Sequence, residues 1–346
     1  MGTCRKMLAG LAAISTIGPA AAGDADRIRM ALMDTDARIV AAIRQEEGAA
    51  ASLDVEVGRG LGTGQVAPLV DLGSLTKFVT AVAVLHLVDA GRLSLDARLA
   101  DLLPGVPEDK AAISVHQLLT HMGGFAESTG ADPERLDRTG FLRRVMARPL
   151  EQAPGSGYLY SNAGYSLLAA IVETVSGWDY ERYLLDDLLE PNGLPPIGYA
   201  AVYAPDRSIR TARTLSTAFR RAPIQEASWG AAAPGWNLIG NGGLVTTAEG
   251  FLAFWDAFLS GRLVSDELVA LALTPFADEG GGESHYGYGL VVETSPKHGT
   301  IYWHDGGNDR FSSEWRHVAD RGLSIFVAGI DDDAFDAMEA ALRQLD

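Results

Sequence analysis

The sequence contains one cysteine in 346 residues, and this cysteine, Cys4, lies ahead of an apolar run near the amino terminus. Because there is no second cysteine, a disulfide within the chain is excluded. The seven histidines are scattered without H-E-x-x-H or another metal-ligand spacing, so we expect no metal site. The sequence therefore gives no indication of a cofactor.

Positive charge is also scarce, and lysine is the scarcest basic residue. The formal net charge is −17, which argues against nucleic acid and anionic lipid as partners. Only four of the 28 basic residues are lysines, namely Lys6, Lys77, Lys110 and Lys297. Arginine cannot act as a base, whereas a desolvated lysine can lose its proton. The few lysines are therefore the basic side chains with the potential to transfer protons.

The apolar run from Met7 to Ile17 is shorter than the ~20 residues that a membrane-spanning helix needs. It follows Arg5 and Lys6 and precedes Pro19-Ala20-Ala21-Ala22, which is the order of a secretory signal peptide over residues 1–22. An uncleaved anchor is the alternative interpretation. We expect cleavage after Ala22, which would make the mature protein secreted or periplasmic, without membrane insertion and without Cys4.

Residues 23–346 are predicted to form one α+β domain with a large core. Helices are predicted from Asp24 to Arg44, Phe78 to Val88, Ala163 to Ser176, Phe251 to Ser260, and from about Asp331 through Leu345. Strands are predicted from Ala51 to Val57, Tyr288 to Glu293, Thr300 to Trp303, Ser313 to Val318 and Leu323 to Ile330. This pattern indicates an antiparallel β-sheet, from about residues 23–80 and 285–346, flanked by terminal helices. A mostly helical region over about residues 81–284 is inserted into it.

Ser74-Leu75-Thr76-Lys77 places a hydroxyl and a primary amine three residues apart where an apolar helix is predicted to begin. Residues i and i+3 share a helix face, so the amine of Lys77 can reach the hydroxyl of Ser74 and take its proton. The amino end of a helix also favours negative charge that develops nearby. This spacing is typical of an activated serine nucleophile.

Two further motifs carry polar side chains. Tyr160-Ser161-Asn162 precedes an apolar helix and offers a phenol and an amide, although a simple N-cap role is the alternative for Ser161 or Asn162. Trp303-His304-Asp305-Gly306-Gly307 is predicted to close one strand and open a turn.

In this order, Ser74-x-x-Lys77, Tyr160-x-Asn162 and His304-Asp305-Gly306 resemble the three motifs of the penicillin-recognising serine hydrolases. That family comprises class C β-lactamases, D,D-carboxypeptidases, D-aminopeptidases and family VIII esterases. Three further segments resemble phrases of the same family: Leu118 to Gly124, Gly242 to Thr247 and Tyr286 to Gly289. The resemblance implies a β-lactamase/transpeptidase-like fold and a serine hydrolase that needs no cofactor.

The resemblance also implies roles for these residues. Ser74 would be the nucleophile, Lys77 would take its proton or tune Tyr160, and Tyr160 would carry the proton to the leaving group. Which of Lys77 and Tyr160 is the formal base stays open, because they are expected to titrate as a coupled pair. Substrate binding is expected from Asn162, His304, Asp305 and Gly306. The oxyanion would lie between the backbone N–H groups of Ser74 and Gly307.

The third motif has a competitor, because Lys297-His298-Gly299 also has the K-x-G form. We assign the motif to His304, and we expect Lys297 to be a solvated turn residue. An imidazole with an ordinary pKa near ~6.5 would be cationic in mild acid, so His304 is expected to make substrate preference depend on pH. His121 is interpreted as a structural histidine with satisfied hydrogen bonds.

The expected substrate is a small molecule or short peptide. Replacing a permanent third-motif cation with His304, next to the negative charge of Asp305, favours a D-amino-acid peptide or amide or a carboxylic ester. The alternatives are a β-lactamase, or a sensor that binds penicillin or cell-wall peptides without turnover. The sequence does not indicate the oligomeric state.

Overall fold

The computed structural model describes residues 23–47, 50–57, 69–132, 134–199, 234–308 and 310–346. The predicted signal peptide, residues 1–22, lies outside these ranges. None of the helices within them is long and apolar enough to cross a membrane.

An antiparallel sheet of eight strands lies at the centre of the described fold. Its strands are β1 (Ile39–Glu47), β2 (Ala50–Val57), β5 (Ala277–Asp278), β6 (Ser284–Tyr286), β7 (Val291–Ser295), β8 (Gly299–Asn308), β9 (Phe311–Val318) and β10 (Leu323–Ile330). Their order in space is β2, β1, β10, β9, β8, β7, β6, β5. Strands β3 (Leu69–Asp71) and β4 (Val245–Thr247) form a separate antiparallel pair. The large sheet thus joins strands from the two ends of the described chain.

Helices surround this sheet on both faces. They are α1 (Asp24–Asp34), α2 (Thr76–Asp89), α3 (Leu99–Leu102), α4 (Glu108–Ala111), α5 (Val115–Leu119), α6 (Arg138–Ala147), α7 (Asn162–Ser176), α8 (Tyr180–Tyr183), α9 (Ala248–Leu259), α10 (Asp266–Ala272) and α11 (Asp333–Leu342). A π-helical turn, Leu184–Leu189, continues α8. The predicted α+β class, with terminal helices and a mostly helical middle, is confirmed.

The two faces of the sheet pack against different helices. On β1, Ile39 and Ile43 point toward the terminal helices α1 and α11 and belong to one apolar cluster with their buried residues. Val40 and Ala42 point the other way, into the main core that contains α2, α7 and α9. This alternation is expected for a strand whose successive side chains face opposite sides.

The prediction of one amphipathic helix from Asp24 to Arg44 is wrong in its second half. The helix α1 ends at Asp34, and residues from Ile39 onward form strand β1. Ile39 to Ile43 is buried on both faces, and its β-branched residues fit a pleated strand between two apolar layers. Burial on both sides gives a continuous apolar run, which periodicity alone does not separate from a helix.

Helix α2 is held between α9 and the sheet, and this packing fixes its amino end. The ring of Phe78 lies 5.2 Å from that of Phe258 and 5.8 Å from that of Phe254, both on α9. On its other side it stacks on Trp315 of β9, with centroids 5.8 Å apart. Such aromatic contacts stabilise a core beyond the burial of their area. The start of α2 is therefore anchored beside the sheet.

Strand β8 is longer than its prediction and runs through Asn308. His304, Asp305, Gly306 and Gly307 all pair with residues of β9, with Gly306 opposite Ser313. The motif closes a strand as predicted, but the strand continues through both glycines to Asn308, so the expected turn does not begin within the motif. The glycines did suggest a turn, but they lie inside the strand where another backbone approaches closely.

Candidate active site

Ser74 lies in a short 3-10 helix, Gly73–Leu75, that leads directly into α2. Gly73 adopts φ 52°, a left-handed conformation that favours glycine. A Cβ at this position would lie 2.7 Å from the backbone nitrogen of Gly307. The sequence therefore needs glycine here both for the backbone angle and for the close approach of β8. The result is a serine at a helix start and directly beside a strand.

Lys77 is fully buried behind Ser74. Its Nζ lies 3.1 Å from Ser74 Oγ and donates to the backbone carbonyl of Asn241 at 2.9 Å. Burial lowers the pKa of Lys77 to about 7, and the carboxylates of Asp305, Asp132 and Glu127 oppose this shift. A substantial fraction of the Lys77 side chain is therefore neutral near pH 7, which few lysines are.

Tyr160 completes the surroundings of the serine hydroxyl. Its O–H donates to Ser74 Oγ at 2.9 Å, and Lys77 Nζ lies 4.7 Å from the centre of its ring. Burial raises the pKa of the Tyr160 phenol above its usual value, and the hydrogen bond with Ser74 opposes this only in part. Tyr160 is therefore a neutral phenol that can give up a proton only to a strong base.

An open cleft of about 470 Å³ reaches Ser74 and Tyr160 from solvent, and β8 lines one of its walls. A Cβ added to Gly306 would overlap the backbone nitrogen of Ser74. Glycine at this position thus lets β8 lie against the serine backbone. The backbone at Ser74, Gly306 and Gly307 is thus in close contact, and the N–H groups of Ser74 and Gly307 remain the predicted oxyanion-binding pair.

His304 lines the same cleft, although its imidazole is almost completely buried. Its Nδ1 lies 2.6 Å from the backbone carbonyl of Asp305 and its Nε2 lies 3.0 Å from the hydroxyl of Tyr286. A carbonyl only accepts, so Nδ1 carries a proton, and in the neutral ring Nε2 accepts from Tyr286. These two contacts therefore select one tautomer of neutral His304.

The pKa of His304 differs from the ordinary value that the sequence suggested. Burial lowers it to about 4, and the nearby charge of Lys77 acts in the same direction, while Asp305 opposes both. The expected charge change of His304 in mild acid is therefore wrong. Above about pH 5 this residue therefore presents no positive charge to a substrate.

The other residues that the sequence analysis considered for the site do not all line the cleft. The side chain of Asp305 is 55% exposed and lines the cleft. Asn162 is the half-buried first residue of α7, and it is not among the described residues that line the cleft. Ser161 is the N-cap of that helix and accepts from the N–H of Gly164. Lys297 lies in the β7–β8 turn and pairs with Asp346 at 2.9 Å, as expected of a solvated turn residue.

Several residues of the site were not assigned from sequence. The carbonyl of Asn241 accepts from Lys77, and the hydroxyl of Tyr286 bonds to His304. Glu279 adds a second carboxylate to the cleft. Asn241 precedes the Gly242-Gly243 pair, and Tyr286 begins the Tyr-Gly-Tyr-Gly segment. The resemblance of these two segments to the family was the sequence signal that could have placed both residues at the site. In the part of the chain that the structure describes, no three histidine, cysteine or acidic side chains are grouped to hold a metal ion.

Comparison with known proteins gives a consistent result. The family model described as Beta-lactamase matches residues 59–344. The chain is 25% identical over 281 residues to Penicillin-binding protein 4* of Bacillus subtilis, covering 77% of this chain and 61% of that relative. It is 35% identical over 145 residues to a putative D-alanyl-D-alanine carboxypeptidase of Escherichia coli, covering 36% of this chain and 32% of that relative. The chain thus spans less than two thirds of the length of these relatives.

Solved structures share the fold. The crystal structure of a D-stereospecific amidohydrolase from Streptomyces sp. superimposes with a TM-score of 0.71 at 22% sequence identity. The superposition covers 93% of this chain and 98% of that one. At this identity the likeness shows the β-lactamase-type fold alone.

Proposed function

Because this chain belongs to the beta-lactamase family, we propose that it is a serine hydrolase that works through an acyl-enzyme on Ser74. Its substrate would be a D-amino-acid peptide or amide, or a carboxylic ester. The observation that carries the proposal is the contact of Ser74 Oγ with both Lys77 Nζ, at 3.1 Å, and Tyr160 OH, at 2.9 Å. A hydroxyl held between an amine of lowered pKa and a neutral phenol can lose its proton to the amine, and the phenol can then donate a proton to the leaving group.

The hydrogen bonds of Lys77 and Tyr160 favour Lys77 as the base. Neutral Lys77 has two N–H groups and one lone pair, so it can donate to the Asn241 carbonyl and still accept the proton of Ser74. Tyr160 has a raised pKa and already donates its proton to Ser74 Oγ, so it is poorly suited to take another. Lys77 therefore receives the serine proton in this mechanism, and Tyr160 acts as an acid.

The reaction then proceeds in two halves. Ser74 Oγ attacks the substrate carbonyl carbon as its proton passes to Lys77, and the oxyanion lies between the backbone N–H groups of Ser74 and Gly307. Tyr160 donates its proton to the leaving nitrogen or oxygen as that bond breaks, and Lys77 then reprotonates the phenolate. In the second half, water attacks the acyl carbon and passes a proton to the same pair. The pair returns a proton to Ser74 Oγ as the acyl–oxygen bond breaks, which regenerates Ser74 and releases the acid product.

Charge around the cleft supports this substrate class. Two carboxylates, Glu279 and Asp305, line it, and no lysine or arginine does so among the described lining residues. His304 is neutral there, so the described wall offers no cation to a substrate carboxylate. β-Lactam antibiotics carry such a carboxylate. A neutral ester, or a D-amino-acid derivative with a free amine, fits these charges better.

Covalent labelling tests the nucleophile. Wild-type protein is incubated with a fluorophosphonate and its intact mass is measured. We expect one adduct on the wild type and none on Ser74→Ala, since the hydroxyl is the attacking group. An undiminished adduct on Ser74→Ala would refute the proposal.

A substrate panel then tests the class. We expect the highest kcat/KM among D-alanyl p-nitroanilides and p-nitrophenyl esters, and the lowest for a chromogenic cephalosporin. Peptidyl-D-Ala-D-Ala, which carries a terminal carboxylate, is included in the same panel. Stoichiometric labelling without product release from any substrate would instead indicate a sensor.

A further inference from the structure

We infer that His121 is a positioning residue for Tyr160, holding the backbone on both sides of this tyrosine and so setting its hydroxyl against Ser74. This inference rests on the proposed function, because it assigns Tyr160 the role of proton donor at the same site. His121 itself does not touch the reacting atoms in this scheme. The structural role predicted for His121 is thus to hold Tyr160, but the prediction of fully satisfied hydrogen bonds is wrong, because Nε2 has no partner in the described structure.

Two hydrogen bonds from His121 bracket Tyr160. The backbone carbonyl of His121 accepts from the N–H of Leu159 at 2.8 Å. Its side-chain Nδ1 accepts from the N–H of Ser161 at 3.1 Å. The residue before Tyr160 and the residue after it are therefore both bound to one histidine, and this fixes the direction in which the Tyr160 side chain leaves the backbone.

The imidazole also contacts the Tyr160 ring. Its centroid lies 4.6 Å from that of Tyr160 and 4.5 Å from that of Tyr286, the residue that bonds to His304. Two more rings, Tyr158 and Tyr165, lie 5.6 Å and 5.0 Å away. His121 is thus the shared neighbour of the tyrosines that serve Ser74 and His304, and its displacement would move both.

The bond to Ser161 requires neutral His121 with Nδ1 unprotonated, because an N–H group cannot donate to another N–H. The proton then lies on Nε2, which is buried and has no hydrogen-bond partner in the described structure. Burial, assisted by the nearby charge of Lys77, lowers the pKa of His121 well below its usual value. The surroundings therefore keep His121 in the form that the bond to Ser161 requires.

The backbone of His121 indicates which substitution preserves the bond. Its φ is 56°, in the left-handed region, where asparagine is among the most tolerated residues other than glycine. An asparagine Oδ1 occupies nearly the same place as His Nδ1 and can accept from Ser161. Phenylalanine fills the ring volume but has no acceptor. Asparagine thus keeps the acceptor and suits the backbone angle, whereas phenylalanine keeps only the ring packing.

The test measures kcat, KM, fluorophosphonate labelling rate and thermal midpoint for His121→Asn and His121→Phe. We expect His121→Phe to lose about 10- to 100-fold in kcat and in labelling rate with little change in KM, since a reacting group displaced by a fraction of an ångström costs on this order. His121→Asn should stay within about threefold of the wild type at temperatures well below its midpoint. His86→Phe is the matched control, because it removes the bond of a half-buried histidine to Tyr183, which is outside the site.

The outcomes are distinct. A His121→Phe protein within threefold of the wild type in kcat, or a His121→Asn protein as impaired as His121→Phe, overturns the inference. If His121→Phe does not fold, as judged by circular dichroism, His121→Leu replaces it, since leucine also lacks an acceptor. Failure of the proposed function itself would appear elsewhere, as full activity of Tyr160→Phe or labelling of Ser74→Ala.

Discussion

At the scale of single residues, Ser74 lies between two groups whose pKa values burial shifts toward useful states. The amine of Lys77 becomes partly neutral near pH 7, and the phenol of Tyr160 stays protonated. Neither pKa shift requires a metal ion or a neighbouring histidine, because desolvation alone disfavours the charged form of each group. The same burial keeps His304 and His121 neutral.

The pH dependence of kcat/KM should show the titration of Lys77. Below its pKa the side chain is an ammonium without a lone pair and cannot accept the Ser74 proton; above it, the amine can. We expect kcat/KM for a neutral ester to rise through an apparent pKa of about 7 and then to stay level to about pH 10, where Tyr160 is still protonated. Initial rates from pH 5 to 10 measure this.

Lys77→Arg is the control for that profile. Arginine keeps a positive charge but cannot act as a base, so we expect a loss of ~10³ or more in kcat/KM and no rise near pH 7. A variant with a tenth of wild-type activity would show that Lys77 contributes only charge.

His304 should leave substrate preference independent of pH. Its imidazole is neutral above about pH 5, so the ratio of kcat/KM for a carboxylated and a neutral substrate with the same acyl group should stay constant from pH 5.5 to 8.5. His304→Lys would add a cation and should raise that ratio by about tenfold, as one charge-assisted contact can. A wild-type ratio that falls tenfold over this range would contradict the neutral state of His304.

At the scale of elements, the site depends on the contact between strand β8 and the turn that starts α2. Gly306→Ala should damage this contact, because the new Cβ would overlap the Ser74 backbone nitrogen. We expect a loss of about 10²- to 10³-fold in kcat, comparable to losing an oxyanion donor, with the fold retained by circular dichroism.

Gly281→Ala is the matched control for that change. Gly281 has no atoms within 4 Å of an added Cβ and no positive φ, so activity should be unchanged. A Gly306→Ala enzyme as active as Gly281→Ala would show that β8 can withdraw from Ser74 without cost.

Some of these elements and contacts could be predicted from the sequence, and others could not. Helices α2 and α7 were predicted within two residues, because strong apolar patterns and clear ends define them locally. The proximity of Ser74 and Lys77 followed from helix geometry. The carbonyl of Asn241, 164 residues from Lys77, did not, and neither did the pKa of His304. Both depend on which distant segments bury these groups, and a local pattern contains no such information.

At the scale of the whole molecule, a buried acid below the active site should make stability depend on pH. Asp71 is 3% exposed and accepts from the N–H of Gly73 through Oδ1, and none of the described residues bonds to its Oδ2. Burial raises its pKa to about 7, against an unfolded value near ~3.9. The folded protein therefore binds more protons than the unfolded chain between these values, so Asp71 lowers stability as pH rises through this window.

Asp71→Asn should remove that loss, since an amide resembles the protonated acid in shape and charge. We expect the variant and the wild type to have similar free energies of unfolding at pH 4. The variant should become more stable by up to about 4 kcal/mol at pH 8. Urea unfolding at both pH values measures the difference. An equal free-energy difference at both pH values would show that the pKa of Asp71 is the same in the folded and unfolded states.

The pairing of β1 with β10 also has a consequence for the order of folding. Ile39 lies opposite Gly329, so two neighbouring strands of the sheet come from segments that are far apart in the sequence. Contacts of such long sequence separation form late, because a very large loop must close first. Strand β8, which touches the Ser74 turn, belongs to the same sheet. A nascent chain should therefore carry an unassembled and inert serine until strand β10 has been synthesised.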